Sequence, residues 1–176
     1  THLPEDIVVT NAMEVHEDFN AIGSCVKKEY TYLIYNSGIR DPFYVNRAWF
    51  YPKHLDETLM QRAADCFVGT HDFSAFTASG SDVADRVRTV YDCSVTSDGD
   101  IVTVTVSGNG FLYNMVRIIT GTLIDVSCGK IEADSIPEII ASFDRGRAGF
   151  TAPACGLYLY RVNYDFSEGG EPNERK

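Results

Sequence analysis

Arg117 is the side chain in this sequence whose setting most calls for a chemical explanation. It lies in a run where Leu112, Met115, Val116, Ile119, Leu123 and Val126 recur at helical spacing. A guanidinium cannot shed its proton to escape burial. If its head group is buried it needs a fixed anion. No nearby residue supplies an obvious one, which points to a partner from elsewhere in the assembly. Two structural readings stand beside this one: Arg117 bonds helix carbonyls, or its stem lies on the apolar face while its head reaches water.

The usual catalytic signatures are missing from the 176 residues. There is no phosphate-cradling glycine loop, no zinc-type Cys/His array and no nucleophile elbow. His2, His16, His54 and His71 sit in unrelated settings, which argues against a histidine-based triad. Asp98 and Asp100 belong to a turn and read as hairpin chemistry. Tyr30, on an alternating strand, reads by itself as core or cross-strand packing, and Leu157 by itself reads as core.

The elements that would position these groups follow from pattern. Asp6 to Val15 carries β-branched and apolar positions suited to a strand, with imperfect alternation. Lys28 to Asn36 alternates with Tyr30, Tyr32 and Ile34 on one side, and Asn36-Ser37-Gly38 breaks it. Tyr44 to Tyr51 predicts an irregular strand with the only tryptophan, Trp49. Asp56 to Val68 predicts an amphipathic helix stopped by Gly69, with Leu59, Ala63 and Phe67 as its inner stripe. Arg86 to Val95 and Ile101 to Val106 predict a hairpin joined by Thr96 to Asp100. The arginine-bearing helix follows. Ala133 to Phe143 predicts another, provided Pro137 lies in its first turn. Leu157 to Tyr164 is the last predicted strand. The fold class is α+β, a mainly antiparallel sheet with helices packed on one face. The expectation is one domain over 1–166, with the polar segment 167–176 as a frayed tail.

Composition sets the outer bounds. Apolar residues make up 44% and charged residues 23%, as in an ordinary globular domain. No apolar stretch approaches the ~18 residues of a membrane span, and no signal-peptide pattern opens the sequence. Five scattered cysteines without metal-type spacing fit reduced thiols and a cytoplasmic setting. A net charge of −10 argues against a protein that coats nucleic acid indiscriminately, though not against a local basic groove.

Three ordered segments carry a resemblance: Lys27-Lys28-Glu29-Tyr30-Thr31-Tyr32-Leu33-Ile34-Tyr35-Asn36, Gly110-Phe111-Leu112-Tyr113-Asn114-Met115-Val116-Arg117 with Gly121-Thr122-Leu123, and Ala148-Gly149-Phe150-Thr151-Ala152-Pro153-Ala154-Cys155-Gly156-Leu157-Tyr158-Leu159. Together with Leu3-Pro4-Glu5-Asp6-Ile7 and His71-Asp72-Phe73-Ser74-Ala75-Phe76, they resemble the later portion of the tRNA pseudouridine synthase A family, from Leu3 to about Tyr164. The family's Gly-Arg-Thr-Asp-Ala-Gly segment, which bears its catalytic aspartate, occurs nowhere here. Val87-Arg88-Thr89-Val90 is its nearest echo and lacks the acid. The resemblance therefore implies the C-terminal portion of an enzyme whose N-terminal half is missing, and a fragment inactive alone.

What the resemblance implies is specific. The parent would be an isomerase converting uridine to pseudouridine in the anticodon arm of tRNA, around positions 38 to 40, with no metal or organic cofactor. Its partners would be tRNA and a second copy in a homodimer, with no membrane. Tyr30 would stack against the target uracil, Arg117 would pair with the catalytic aspartate, and Leu157 would line the base pocket. Ile22 stands where the family commonly has arginine, so the loop before the strand at Lys28 to Asn36 would contact RNA differently. The alternatives are a non-catalytic RNA-binding or dimerisation module, or a small-molecule enzyme on a similar scaffold.

Overall fold

The computed structural model describes residues 2–80 and 83–166. The predicted tail 167–176 lies outside the described residues. The framework is a sheet of six strands: β1 (Cys25–Tyr35), β2 (Trp49–Phe50), β3 (Gly69–Asp72), β4 (Val87–Asp98), β5 (Ile101–Gly108) and β6 (Leu157–Tyr164). Its order is β2-β1-β5-β4-β3, with β6 also pairing β1. All pairs are antiparallel except the short β1–β2 contact. Three helices, α1 (Glu57–Asp65), α2 (Met115–Ser127) and α3 (Ile136–Ser142), complete the α+β domain.

The periodicity of two in β5 makes the core. Val102, Val104 and Val106 are buried while Thr103 and Thr105 are only partly so. Tyr32 and Ile34 of β1 and Val90, Cys93 and Val95 of β4 add to the same apolar cluster. Nearly all of α2 is buried, and Arg117 is the one residue of its first three turns that is not. The helix α1 begins at Asp56, whose carboxylate accepts from Leu59 N at 2.9 Å. Ser127 Oγ in turn accepts from Asp56 N at 2.7 Å, tying the start of α1 to the end of α2.

Several expectations shift. The predicted strand over Asp6 to Val15 does not form; the segment is irregular and Ile7, Val8 and Val9 are exposed. β-Branched composition favours a strand only where a partner takes the backbone groups and packs the side chains, and no strand pairs there. Of Tyr44 to Tyr51 only Trp49–Phe50 is strand. A 3₁₀ turn over Pro42–Tyr44, capped by Asp41, and a left-handed Asn46 coil the approach. The hairpin ladder runs on to Asp98↔Ile101, so the turn is just Gly99-Asp100. The inner face of α1 is Met60, Ala63 and Ala64, with Leu59 half-buried and Phe67 in the turn beyond. The helix predicted over Ala133 to Phe143 is split into a 3₁₀ turn, Ala133–Ser135, and α3, with Pro137 in its first turn as required.

One connection controls how α2 meets the rest. The loop between α3 and β6 crosses the helix at Gly121 and Gly149. A Cβ on Gly121 would overlap the Phe150 carbonyl, and one on Gly149 would stand 2.5 Å from Thr122 Cα. Only glycine permits so close a backbone crossing. Thr122 Oγ1 accepts from Gly149 N at 2.9 Å and Ala152 N donates to the Arg117 carbonyl at 3.0 Å, so the crossing is also hydrogen-bonded.

Candidate active site

Arg117 sits near the start of α2, half-buried. Its Nε donates to the Ala152 carbonyl at 2.6 Å and its Nη1 to Asn114 Oδ1 at 3.0 Å. Asn114 adopts a left-handed conformation, φ 60°, just before the helix and makes no capping hydrogen bond with its side chain. A cap residue normally turns its oxygen onto the first helical N–H groups; here that oxygen holds the arginine instead. Both acceptors are neutral. Among the described residues no carboxylate lies within ion-pair distance of Arg117. The charge is fixed in place and uncompensated.

The loop that receives Arg117 also receives the strand. Tyr32 is fully buried, and its hydroxyl donates to the Pro153 carbonyl at 2.5 Å. Burial drives the Tyr32 phenol far above its ordinary range, while the nearby Arg117 charge pulls the other way. Three residues on, Gly156 lies against Tyr32 and the Leu33 carbonyl. Thus Ala152 and Pro153 are clamped from α2 and from β1 by consecutive carbonyls.

Tyr30 is two residues before Tyr32 and on the same face. It is half-buried, and its ring meets Phe111 edge-on, with centroids 5.1 Å apart and planes at 85°. Desolvation, with a smaller contribution from Cys25, raises its pKa, so the ring stays a neutral phenol near pH 7. On β6, Leu157 is opposite Tyr32 and Leu159 opposite Tyr30. Opposed residues share a face, so Leu157 lies diagonally beside Tyr30. Leu157 is half-buried against the core, and Leu159 is 52% exposed.

The three residues singled out from the sequence are therefore linked by common neighbours, Tyr32 and the Ala152–Leu157 segment, rather than by hydrogen bonds to one another. Sequence reasoning left Tyr32, Asn114 and Phe111 without roles. Tyr32 carried a signal, the period-two pairing with Tyr30. Asn114 carried only its place before a helix, which suggests capping and misleads. Together the groups can hold a flat, uncharged ring against Tyr30 and Leu157, and can present a fixed cation to an acid. Among the described residues no group of three His, Cys, Asp or Glu side chains is placed to hold a metal.

A family model described as tRNA pseudouridine synthase matches residues 63–165. The chain belongs to the tRNA pseudouridine synthase family. It is 52% identical over 162 residues to tRNA pseudouridine synthase A of Acetivibrio thermocellus, covering 92% of this chain and 66% of that relative. It is 46% identical over 164 residues to the protein of the same name from Thermoanaerobacter sp., with the same coverage. Against tRNA pseudouridine synthase A 1 of Bacillus cereus it is 44% identical over 165 residues, covering 94% of this chain and 67% of the relative. The chain thus spans about two thirds of the length of these curated relatives. The family match takes in Arg117 and Leu157, and an alignment over 162 of 176 residues also takes in Tyr30.

Proposed function

We propose that this chain is the C-terminal portion of a tRNA-modifying isomerase that converts uridine to pseudouridine in the anticodon arm, around positions 38 to 40. The nucleophilic aspartate comes from a part of the polypeptide outside these 176 residues. The observation that carries this reading is Arg117: a half-buried cation held by two neutral oxygens, with no carboxylate partner among the described residues, in a family named for this reaction.

The reaction breaks the N1–C1′ glycosidic bond of uridine and forms a C5–C1′ bond. The proton leaves C5 and N1 gains one, so the change is an isomerisation with no oxidant or reductant. A stacked base must first leave its helix, at a cost of a few kcal/mol. Stacking on Tyr30 returns about 1–3 kcal/mol, with Leu157 beside it excluding water from the edge of the base. Arg117, already bonded to Ala152 and Asn114, keeps the acid ionised and in position without reorganisation at the moment of reaction. As a neutral phenol, Tyr30 also avoids placing a second negative charge beside the aspartate.

The five cysteines are all free thiols, which supports a reducing, cytoplasmic site of action. The exposed apolar residues Ile39, Phe43 and Val45 support a homodimer or a contact with the rest of the polypeptide. The test is tritium release from tRNA labelled at uridine C5. The full-length enzyme is expected to release it and this chain alone to release none. No release by a folded full-length enzyme, or robust turnover by the purified chain alone, would overturn the assignment of the reaction or of its nucleophile.

A further inference from the structure

Near Arg117 lies a cleft of about 510 Å³ whose walls include Ser74, Thr77, Ser79, Arg86, Arg145 and Thr151. Both arginines are half-buried, and among the described residues no carboxylate lines the cleft. Arg86 makes no side-chain hydrogen bond or ion pair there. Arg145 has only neutral partners: it donates to the Gly149 carbonyl at 2.8 Å, and more weakly to the Ala148 carbonyl and Thr151 Oγ1. Thr77 is 6% exposed, and its Oγ1 has no hydrogen-bond partner. Two partly desolvated cations line one concavity, with the orphaned Thr77 hydroxyl buried behind its wall. A half-buried guanidinium without a carboxylate partner is only partly compensated, and an anion in the cleft would complete it.

We propose that this cleft binds a phosphodiester of the RNA substrate, with Arg86 and Arg145 as its cationic contacts. The proposal rests on the tRNA-modifying reading above. Phosphate suits the donor set. A guanidinium fork matches two phosphate oxygens, the Ser79 and Thr151 hydroxyls can satisfy further lone pairs, and no carboxylate is among the described lining residues, Asp72 being engaged behind the wall by Ser74 Oγ at 2.6 Å. The cleft also shares a wall with the proposed base pocket. Thr151, which Arg145 holds, is followed by Ala152, which Arg117 holds, and Ala78 N donates to the Tyr113 carbonyl just before α2 at 3.1 Å. A phosphate seated here would fix the strand from which the flipped uridine projects. It would also explain how a chain of net charge −10 contacts RNA, through a local site rather than a basic surface.

The experiment uses the full-length enzyme and measures tRNA affinity across a salt series, with thermal unfolding in parallel. Arg86→Gln is expected to weaken binding about tenfold, the size of a lost charge-assisted hydrogen bond. It should also reduce the slope of log affinity against log salt by about 0.7–0.9, one phosphate contact. Arg86→Lys should restore most of the slope. Arg62→Gln, which removes the same charge from an exposed pair with Asp134, is the control and should leave the slope unchanged. Equal slope changes in both Gln variants would reduce the effect to net charge and overturn the site. A lower Tm with an unchanged slope would place a carboxylate from elsewhere in the polypeptide in the cleft, and would overturn it too. Wild-type tritium release separates these outcomes from failure of the functional reading, since a substrate contact loses its meaning only if the wild type does not turn tRNA over.

Discussion

The two flanks of β1 are built to different standards. Toward β5 the ladder runs without interruption from Lys28↔Gly108 to Tyr35↔Ile101, and the valines of β5 alternate into a dry core. Toward β6 the register slips twice, between Cys25 and Lys27 and between Glu29 and Tyr30, and Leu159 and Tyr160 are 52% and 62% exposed. The first flank pairs its backbone without a break, and its one buried polar orphan among the described side chains is Ser107 Oγ. The second leaves apolar rings and a bulge beside Tyr30. Bulges re-aim side chains and often neighbour functional sites.

If this contrast is right, damage to the two flanks should read out differently. The largest effect is expected at the α2 crossing, where Gly121→Ala should lose about 3–5 kcal/mol of stability, measured by denaturant unfolding. Helix propensity alone would favour alanine by about 1 kcal/mol, so a stabilised variant would mean that the loop moves aside freely. Next comes Arg117→Met in the full-length enzyme. The thioether keeps the apolar stem packing, and turnover at saturating tRNA should fall at least about 100-fold, or 2.7 kcal/mol. Affinity should change far less. Wild-type turnover in a folded variant would return Arg117 to a purely structural role.

A smaller effect separates stacking from proton chemistry. Tyr30→Ala should slow single-turnover pseudouridine formation by about 10-fold or more, matching the 1–3 kcal/mol of a lost stack. Tyr30→Phe should retain most of the rate. If phenylalanine fails as badly as alanine, the hydroxyl matters and the platform description is incomplete.

The smallest effect probes the edge of the core. Burial and then the hydrogen bond to Cys128 push the Tyr51 phenol up to about 12 from 10.0. Below pH 10 it is neutral folded or unfolded, so its contribution is intact. Between 10 and 12 the unfolded chain ionises first, and stability falls. Tyr51→Phe should flatten the decline in Tm over that window; an unchanged decline would assign it to the other groups that burial raises, Tyr30, Tyr32 and the thiols of Cys66 and Cys93.

Elements whose pattern is self-consistent are legible in the sequence. The β4–β5 hairpin, the apolar α2 and β6 over Leu157 to Tyr164 stand where periodicity places them. Alternation and helical spacing are local properties, and each of these segments finds a partner that rewards its pattern. The short β3 gave no such signal, because four residues, Gly-Thr-His-Asp, show neither period nor β-branched enrichment. Asp6 to Val15 failed in the opposite sense, with strand-like composition and no partner. The family resemblance was equally legible, since it rests on ordered motifs and not on geometry.

By itself, then, the sequence determined the α+β class, the helix that carries Arg117, the strand that carries Tyr30 and the family. The tertiary structure alone decided what those side chains meet. Nothing local says that Asn114 turns from capping α2 to holding Arg117, or that Tyr32 reaches the Pro153 carbonyl. Nor does it say that Arg86 and Arg145 line one cleft with an unpaired Thr77. Periodicity reports which face of an element is apolar, because that depends on neighbours three, four or two residues away. Charge compensation and hydrogen-bond satisfaction depend on groups brought together from distant parts of the chain, and only packing brings them there.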